Sequence, residues 1–158
     1  MHLFTKCLII VLICLSKMAI ADSRKEFEPV VQIFSGISYA DHDMIKEATT
    51  EDFLLLEVGE VWDMDYLLSL IKPSSNIRKN QFSIISTQNF GDVELINYWN
   101  KAVITGDGKE TILAWLESVV VVQTPDGWKL KQMHSTRIDP ENLPGDIKLK
   151  EMMIERQE

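Results

Sequence analysis

From about Arg78 to Ile138 the sequence is strand-like throughout, and this long half dictates the architecture. Apolar and β-branched stretches over 79–88, 93–104, 110–123 and 128–137 alternate with tight-turn residues. The separators are Asn89/Gly91-Asp92, Thr105-Gly106-Asp107-Gly108 and Pro125-Asp126-Gly127. The expected product is a four-strand antiparallel meander.

The first half follows a different period. Phe27, Val30, Val31, Phe34 and Ile37 recur at helical spacing, with Lys25, Glu26, Glu28 and Gln32 opposite. A helix over 23–39 is therefore expected, with Pro29 near its start, where a missing N–H is tolerated. Asp41 is placed to cap a second, shorter helix carrying Met44, Ile45 and Ala48. The apolar run 53–58 breaks the helical period and suits a buried strand closed by Gly59. Asp63 then caps a third helix with Met64, Leu67, Leu68 and Ile71, and Pro73-Ser74-Ser75-Asn76 stops it. Helices first and a meander afterwards define an α+β layer fold, with the N-terminal helices packed on a curved antiparallel sheet.

The extreme N-terminus reads as a targeting segment. Lys6 precedes the apolar run Cys7 to Leu15, and Ala19-Ile20-Ala21 forms a small-x-small cleavage site. The run is too short to span a bilayer, which takes roughly 20 apolar residues. The expected layout is a signal peptide over 1–21, one domain over 22–138, and an arm over 139–158. Cleavage removes Cys7 and Cys14, so the mature chain has no disulfide, no thiolate and no cysteine metal site. A periplasmic or secreted location follows, with no membrane span after processing. Without Lys6 and Lys17, 14 basic residues of the original 16 face 24 acidic ones, and no basic cluster remains. Nucleic acid is excluded as a partner because its binding needs Lys and Arg to neutralise phosphates. No cofactor is expected.

The hairpin closing the meander holds the candidate site. A turn at Pro125-Asp126-Gly127 sets Thr124 opposite Trp128, Val120 opposite Gln132, and Ser118 opposite His134. On this count Trp128, Leu130 and Val122 lie under the helices, and Ser118, Gln132 and His134 share their face. Polar residues at one end of an otherwise apolar face are the pattern of a cavity opening there. Taken alone, His134 is equally a buried histidine bonded to a carbonyl, and Ser118 and Gln132 are polar filling. Their convergence carries the cavity reading. With His42 on a polar helix start, no histidine-based metal site is expected. The opposite face carries Trp115, Glu117, Val119, Val121 and Met133, apolar enough to need cover from a second copy of the chain.

Two stretches, "YADHDMIKEATTEDFLLLEVGE" and "ESVVVVQTPDGWKLKQMHSTRI", resemble the nuclear-transport-factor-2-like (NTF2-like) superfamily, specifically its SnoaL-like and DUF4440-type domains. The resemblance spans about 27–138 and implies a cone-like fold and dimerisation through the sheet. Its isomerase branch uses a carboxylate base, a tyrosine and a protonated aspartate. Laid without gaps, Glu57 falls at the base position, Ile33 at the tyrosine and Ser118 at the second acid. Glu117 supplies that acid only if the hairpin register slips by one. The candidate catalytic groups are thus Glu57 and His134, with Ser118, Gln132, Tyr39, Trp62 and Trp99 as pocket residues. Glu57 facing solvent by simple alternation remains the plainer alternative. The implied function is binding of a small, largely apolar molecule, with isomerase- or cyclase-like proton transfer left open. The alternative is a non-catalytic dimeric interaction module that uses its sheet face or its C-terminal arm.

Overall fold

The computed structural model describes residues 24–156, so the leader expected over 1–21 lies outside the described residues. A 3-10 turn over Lys25–Phe27 leads into α1 (Glu28–Tyr39), which has Pro29 in its first turn. Ala40 ends α1 in the left-handed region at φ 52°. Asp41 then caps α2 (His42–Glu47), accepting from the Met44 amide at 3.0 Å. After β1 (Thr49–Glu57), Val58 and Gly59 turn the chain back into the short β2 (Glu60–Trp62). Asp63 caps α3 (Met64–Leu70) by accepting from the Tyr66 amide at 2.8 Å. Both side chains expected to cap helices do so.

Four long strands follow: β3 (Ile77–Asn89), β4 (Val93–Gly106), β5 (Lys109–Thr124) and β6 (Gly127–Ile138). With β7 (Lys150–Glu151) they complete a seven-stranded sheet in the order β2-β1-β6-β5-β4-β3-β7. The meander is as expected, whereas β2, β7 and the parallel pairing of β1 with β6 are additions. Among the described residues no helix is long and apolar enough to cross a membrane.

The core lies between the helices and the concave sheet face. Phe27, Val30, Ile33 and Phe34 of the N-terminal helical segment meet Phe82, Ile96, Tyr98, Val119, Val121, Leu130 and Met133. Phe27, Phe82 and Tyr98 form an edge-on aromatic trio with centroids 5.1–6.0 Å apart, the arrangement that their ring quadrupoles favour.

This core corrects the face assigned to the hairpin. Far from the turn the pairing is as counted, with Ser118 opposite His134 and Val120 opposite Gln132. Near the turn, however, Thr124 pairs with Gly127 and Val121 with Leu130, leaving Lys131 as an extra residue in a bulge. A bulge shifts the alternation by one and exchanges the two faces beyond it. Leu130 and Met133 therefore both point inward, whereas strict alternation would have paired Leu130 with Gln132. Val119, Val121, Met133 and Trp115, expected on the solvent face as a dimer surface, are buried under the helices. Ser118, Gln132 and His134 lie on the outer face instead.

Gly36 marks the tight contact between α1 and α2. A Cβ there would stand 2.6 Å from Ile45 Cγ1 and 3.1 Å from the Asp41 carbonyl oxygen. Gly36→Ala is therefore expected to lower stability by about 1–3 kcal/mol through overpacking, despite a helix-propensity gain of about 1 kcal/mol. Urea denaturation of the two proteins checks this, and an unchanged or higher midpoint would contradict it.

The segment over 139–156 is docked against the rest of the fold. After a 3-10 turn at Pro140–Asn142, β7 pairs with Gln81 and Phe82 on the edge of β3. The Met152 amide donates to the Asn80 carbonyl at 3.2 Å, and the Ile154 amide to Ser35 Oγ at 2.9 Å. Met152 and Ile154 pack against the core, so the arm seals the seam between α1 and β3. Part of an open sheet edge is blunted in this way.

Candidate functional site

The parallel pairing of β1 with β6 sets Glu57 beside Ser135 at the C-terminal end of β1. Neighbouring positions on the same face bring in Glu117 and Trp115 from β5 and Arg78 from β3. Above them α1 contributes Ile33, Phe34 and Ile37, and α3 contributes Leu67 and Leu70. Trp62 and Leu55 close the side near β2. These residues enclose a cavity of about 220 Å³, equivalent to about seven waters at roughly 30 Å³ each. The helical wall is wholly apolar. Every charge facing the cavity comes from the sheet.

Glu117 is the deepest of these groups, at 2% exposure. Ser135 Oγ donates to its Oε1 at 2.7 Å, and Asn100 Nδ2 donates to its Oε2 at 3.2 Å. Asn80 Nδ2 donates in turn to Asn100 Oδ1 at 2.9 Å, and Arg78 Nε to Asn80 Oδ1 at 3.0 Å. One polar chain thus runs from the Arg78 guanidinium to the Glu117 carboxyl. Burial pushes the Glu117 carboxyl from an ordinary 4.5 up to about 7, against hydrogen bonds that favour its charged form. The charge of Glu57 adds a smaller push in the same direction. Beside Glu117 across the strands, the Tyr98 hydroxyl is fully buried and completes no hydrogen bond of good geometry among the described residues. Its pKa is driven well up, mainly by burial.

Glu57 is half-buried, and Trp115 Nε1 donates to its Oε1 at 3.2 Å. Arg78 lies over the rings of Phe34 (5.9 Å) and Trp115 (5.6 Å), and Arg137 covers Trp115 at 4.7 Å. The ion pairs among the described residues are Lys79–Glu151, Lys131–Asp52 and Arg156–Asp41, so neither glutamate is closely paired with Arg78. Burial lowers the Arg78 pKa, and the negative charges of Glu117 and Glu57 partly restore it.

Of the residues singled out from sequence, Glu57 and Trp62 line the cavity. The other five do not. His134 and Gln132 are exposed on the outer sheet face, the inverse of their expected placement, because of the bulge at Lys131. Ser118 is also there, donating to Asn97 Oδ1 at 2.7 Å, while Asn97 Nδ2 donates to Ser86 Oγ at 2.9 Å. Trp99 alternates outward between the buried Tyr98 and Asn100 and pairs with Leu116. Tyr39 belongs to the arm contact, with its hydroxyl on Met153 Sδ at 2.9 Å and its ring under Arg156. The cavity residues that the hairpin count missed are Glu117, Arg78, Trp115 and Ser135. The signal for Glu117, Trp115 and Ser135 was a charged residue at 117 with the same parity as Val119 and Val121, whereas Arg78 lies on β3, outside the hairpin.

No protein-family model matches the chain, and no curated protein matches it. Solved structures do match. A CaMKII hub from S. rosetta superposes with a TM-score of 0.62 at 17% identity, covering 72% of this chain and 95% of the other. A ketosteroid isomerase-like protein from Erwinia carotovora atroseptica gives a TM-score of 0.58 at 16% identity, covering 76% and 98%. An NTF2-like protein from Cytophaga hutchinsonii gives 0.59 at 11% identity, covering 71% and 94%. The fold is NTF2-like. The likeness extends over nearly the full length of each neighbour and is one of architecture. It does not single out the SnoaL-like branch. Within this fold, the cavity occupies the space between the helical layer and the sheet.

Proposed function

We propose that this NTF2-like domain binds a small, largely apolar molecule in the cavity, with one polar head group against Arg78, Glu57 and Glu117. The observation that carries the reading is the division of the walls: apolar from the helices, charged only at one patch of the sheet. Arg78 spends one N–H on Asn80 and has no carboxylate partner among the described residues, which leaves donors for an acceptor on the ligand. A volume of about 220 Å³ falls below the roughly 300–1,000 Å³ of drug-sized sites, so the ligand is small. Proton transfer is the chemistry that two carboxyl groups facing one cavity would support when burial holds one of them, Glu117, in its acid form. Glu57 would act as base, and Glu117 in its acid form would donate to an oxygen.

A second reading is favoured by the outer sheet face, where a self-associating module would find its interface. Leu95, Trp99, Leu116 and Val120 flank the Ser86–Asn97–Ser118 ladder there, and Leu116 is 38% exposed. The surface for a second copy would thus be the helix-free sheet face, lined by residues of opposite parity to those first expected there. We also propose export, on the leader-like segment over 1–21.

One native mass spectrum of the protein purified from its own host tests all three statements. It is expected to show a retained small molecule, a subunit mass beginning at Asp22, and a dimer. A ligand-free chain at every concentration would overturn the binding reading. A subunit that still contains Cys7 would overturn export, and a monomer at micromolar concentration would overturn self-association.

A further inference from the structure

Resting on the cavity reading, we infer that a neutral ligand enters this site together with one proton, which settles on Glu117. The argument begins from the count of charges. Glu57 from β1, Glu117 from β5 and Arg78 from β3 face the cavity, and Arg137 from β6 stands over Trp115 at its margin. The remaining groups against Glu117 are Tyr98 and Asn100 from β4 and Ser135 from β6. The elements above the sheet, α1 and α3, face the cavity with apolar side chains alone. Two carboxylates thus share one guanidinium, and neither forms a close ion pair with it.

Without a ligand, a cavity of this size with charged groups on its sheet wall has room and polar partners for water, which would screen the second negative charge. A neutral, largely apolar molecule displaces that water and brings no compensating charge. The interaction of Glu57 with an ionised Glu117 then grows, because Coulomb energies scale inversely with the effective dielectric constant. The cheapest relief is protonation of the more deeply buried carboxyl. Glu117 already titrates close to neutrality, so the proton is accessible under ordinary conditions. Occupancy therefore becomes linked to proton uptake, and binding weakens as the solution turns alkaline.

The test is isothermal titration calorimetry with acetophenone as the neutral probe, between pH 5.5 and 9, in pairs of buffers that differ in ionisation enthalpy. On the alkaline limb, the affinity of the wild-type chain is expected to fall by up to about tenfold per pH unit, with uptake approaching one proton. Glu117→Gln holds the neutral shape permanently, so its affinity is expected to be flat across the range, without proton uptake. In Glu57→Gln the alkaline fall-off should begin at a lower pH, since one repelling charge is gone. This second variant serves if Glu117→Gln fails to fold. Binding of acetophenone with no pH dependence and no proton uptake would overturn the linkage while leaving the cavity reading intact. Proton uptake that persists in Glu117→Gln would also overturn it. A wild-type chain that binds no acetophenone at any pH would overturn the cavity reading, and the linkage with it.

Discussion

At pH 8, Glu117→Gln is expected to be more stable than the wild-type domain by about 2 kcal/mol, and at pH 4 it is expected to have no such advantage. The sign follows from two titrations of one residue. In the unfolded chain Glu117 loses its proton near 4.5, whereas in the folded domain burial holds that proton to about 7. Below 4.5 both states are protonated and nothing is lost. Between these values the folded state keeps a proton that the unfolded state has released, so stability falls as pH rises. Above about 7 the loss is complete, roughly 3–4 kcal/mol at about 1.4 kcal/mol per pH unit. Part of the variant's advantage is offset because an amide cannot accept from both Ser135 and Asn100, and one hydrogen bond is worth about 1 kcal/mol. Urea unfolding across this pH range reads the difference between the two proteins. Parallel stability curves would refute the assignment of Glu117 as a buried, proton-holding carboxyl.

Met133→Ala is expected to cost about 2–5 kcal/mol, while the adjacent His134→Ala stays within about 0.5 kcal/mol. Met133 is 3% exposed beneath the helices, so truncation leaves a cavity that its neighbours cannot fill. His134 points from the outer face, where the structure gives it no side-chain partner among the described residues. Simple alternation outward from Leu130 predicts the reverse order for this pair. Thermal or urea denaturation of both variants decides between the two orders, and a larger loss from His134→Ala would restore the original face.

This contrast locates where the sequence was legible. Apolar spacing identified α1 and α3, and the side chains of Asp41 and Asp63 marked helix starts through local hydrogen bonds. Gly- and Asp-rich turns located the four long strands. All of these are short-range signals, and they were enough to define the layer architecture. The orientation of β5 was not readable in the same way. Val119, Val120, Val121 and Val122 make both of its faces apolar, so its direction had to be borrowed from Leu130 on β6. The bulge at Lys131 broke that inference, because nothing in the local composition distinguishes Lys131 from a regular strand residue.

The site was harder still to read. Glu57 was reached only through the resemblance to the isomerase branch, and its neighbour Ser135 comes from a strand almost eighty residues later. Arg78 lies on a strand whose edge is partly covered by the arm, and no periodic pattern marks it as inward. Its role depends on Asn80 and Asn100, two polar residues buried in the core and explicable only by the carboxyl at the end of their chain.

The parallel contact between β1 and β6 has a consequence for assembly in time. Every other pairing among the long strands joins sequence neighbours and can form as soon as both have left the ribosome or a membrane pore. The β1–β6 contact must wait for a loop of more than seventy residues to close, the kind of non-local step that slows folding. A nascent chain stopped before Leu130 can build the β3–β4–β5 meander, yet it has no strand to bring Glu57 alongside Ser135. The cavity therefore depends on the last long strand, and no chain that stops short of Ser135 can form it.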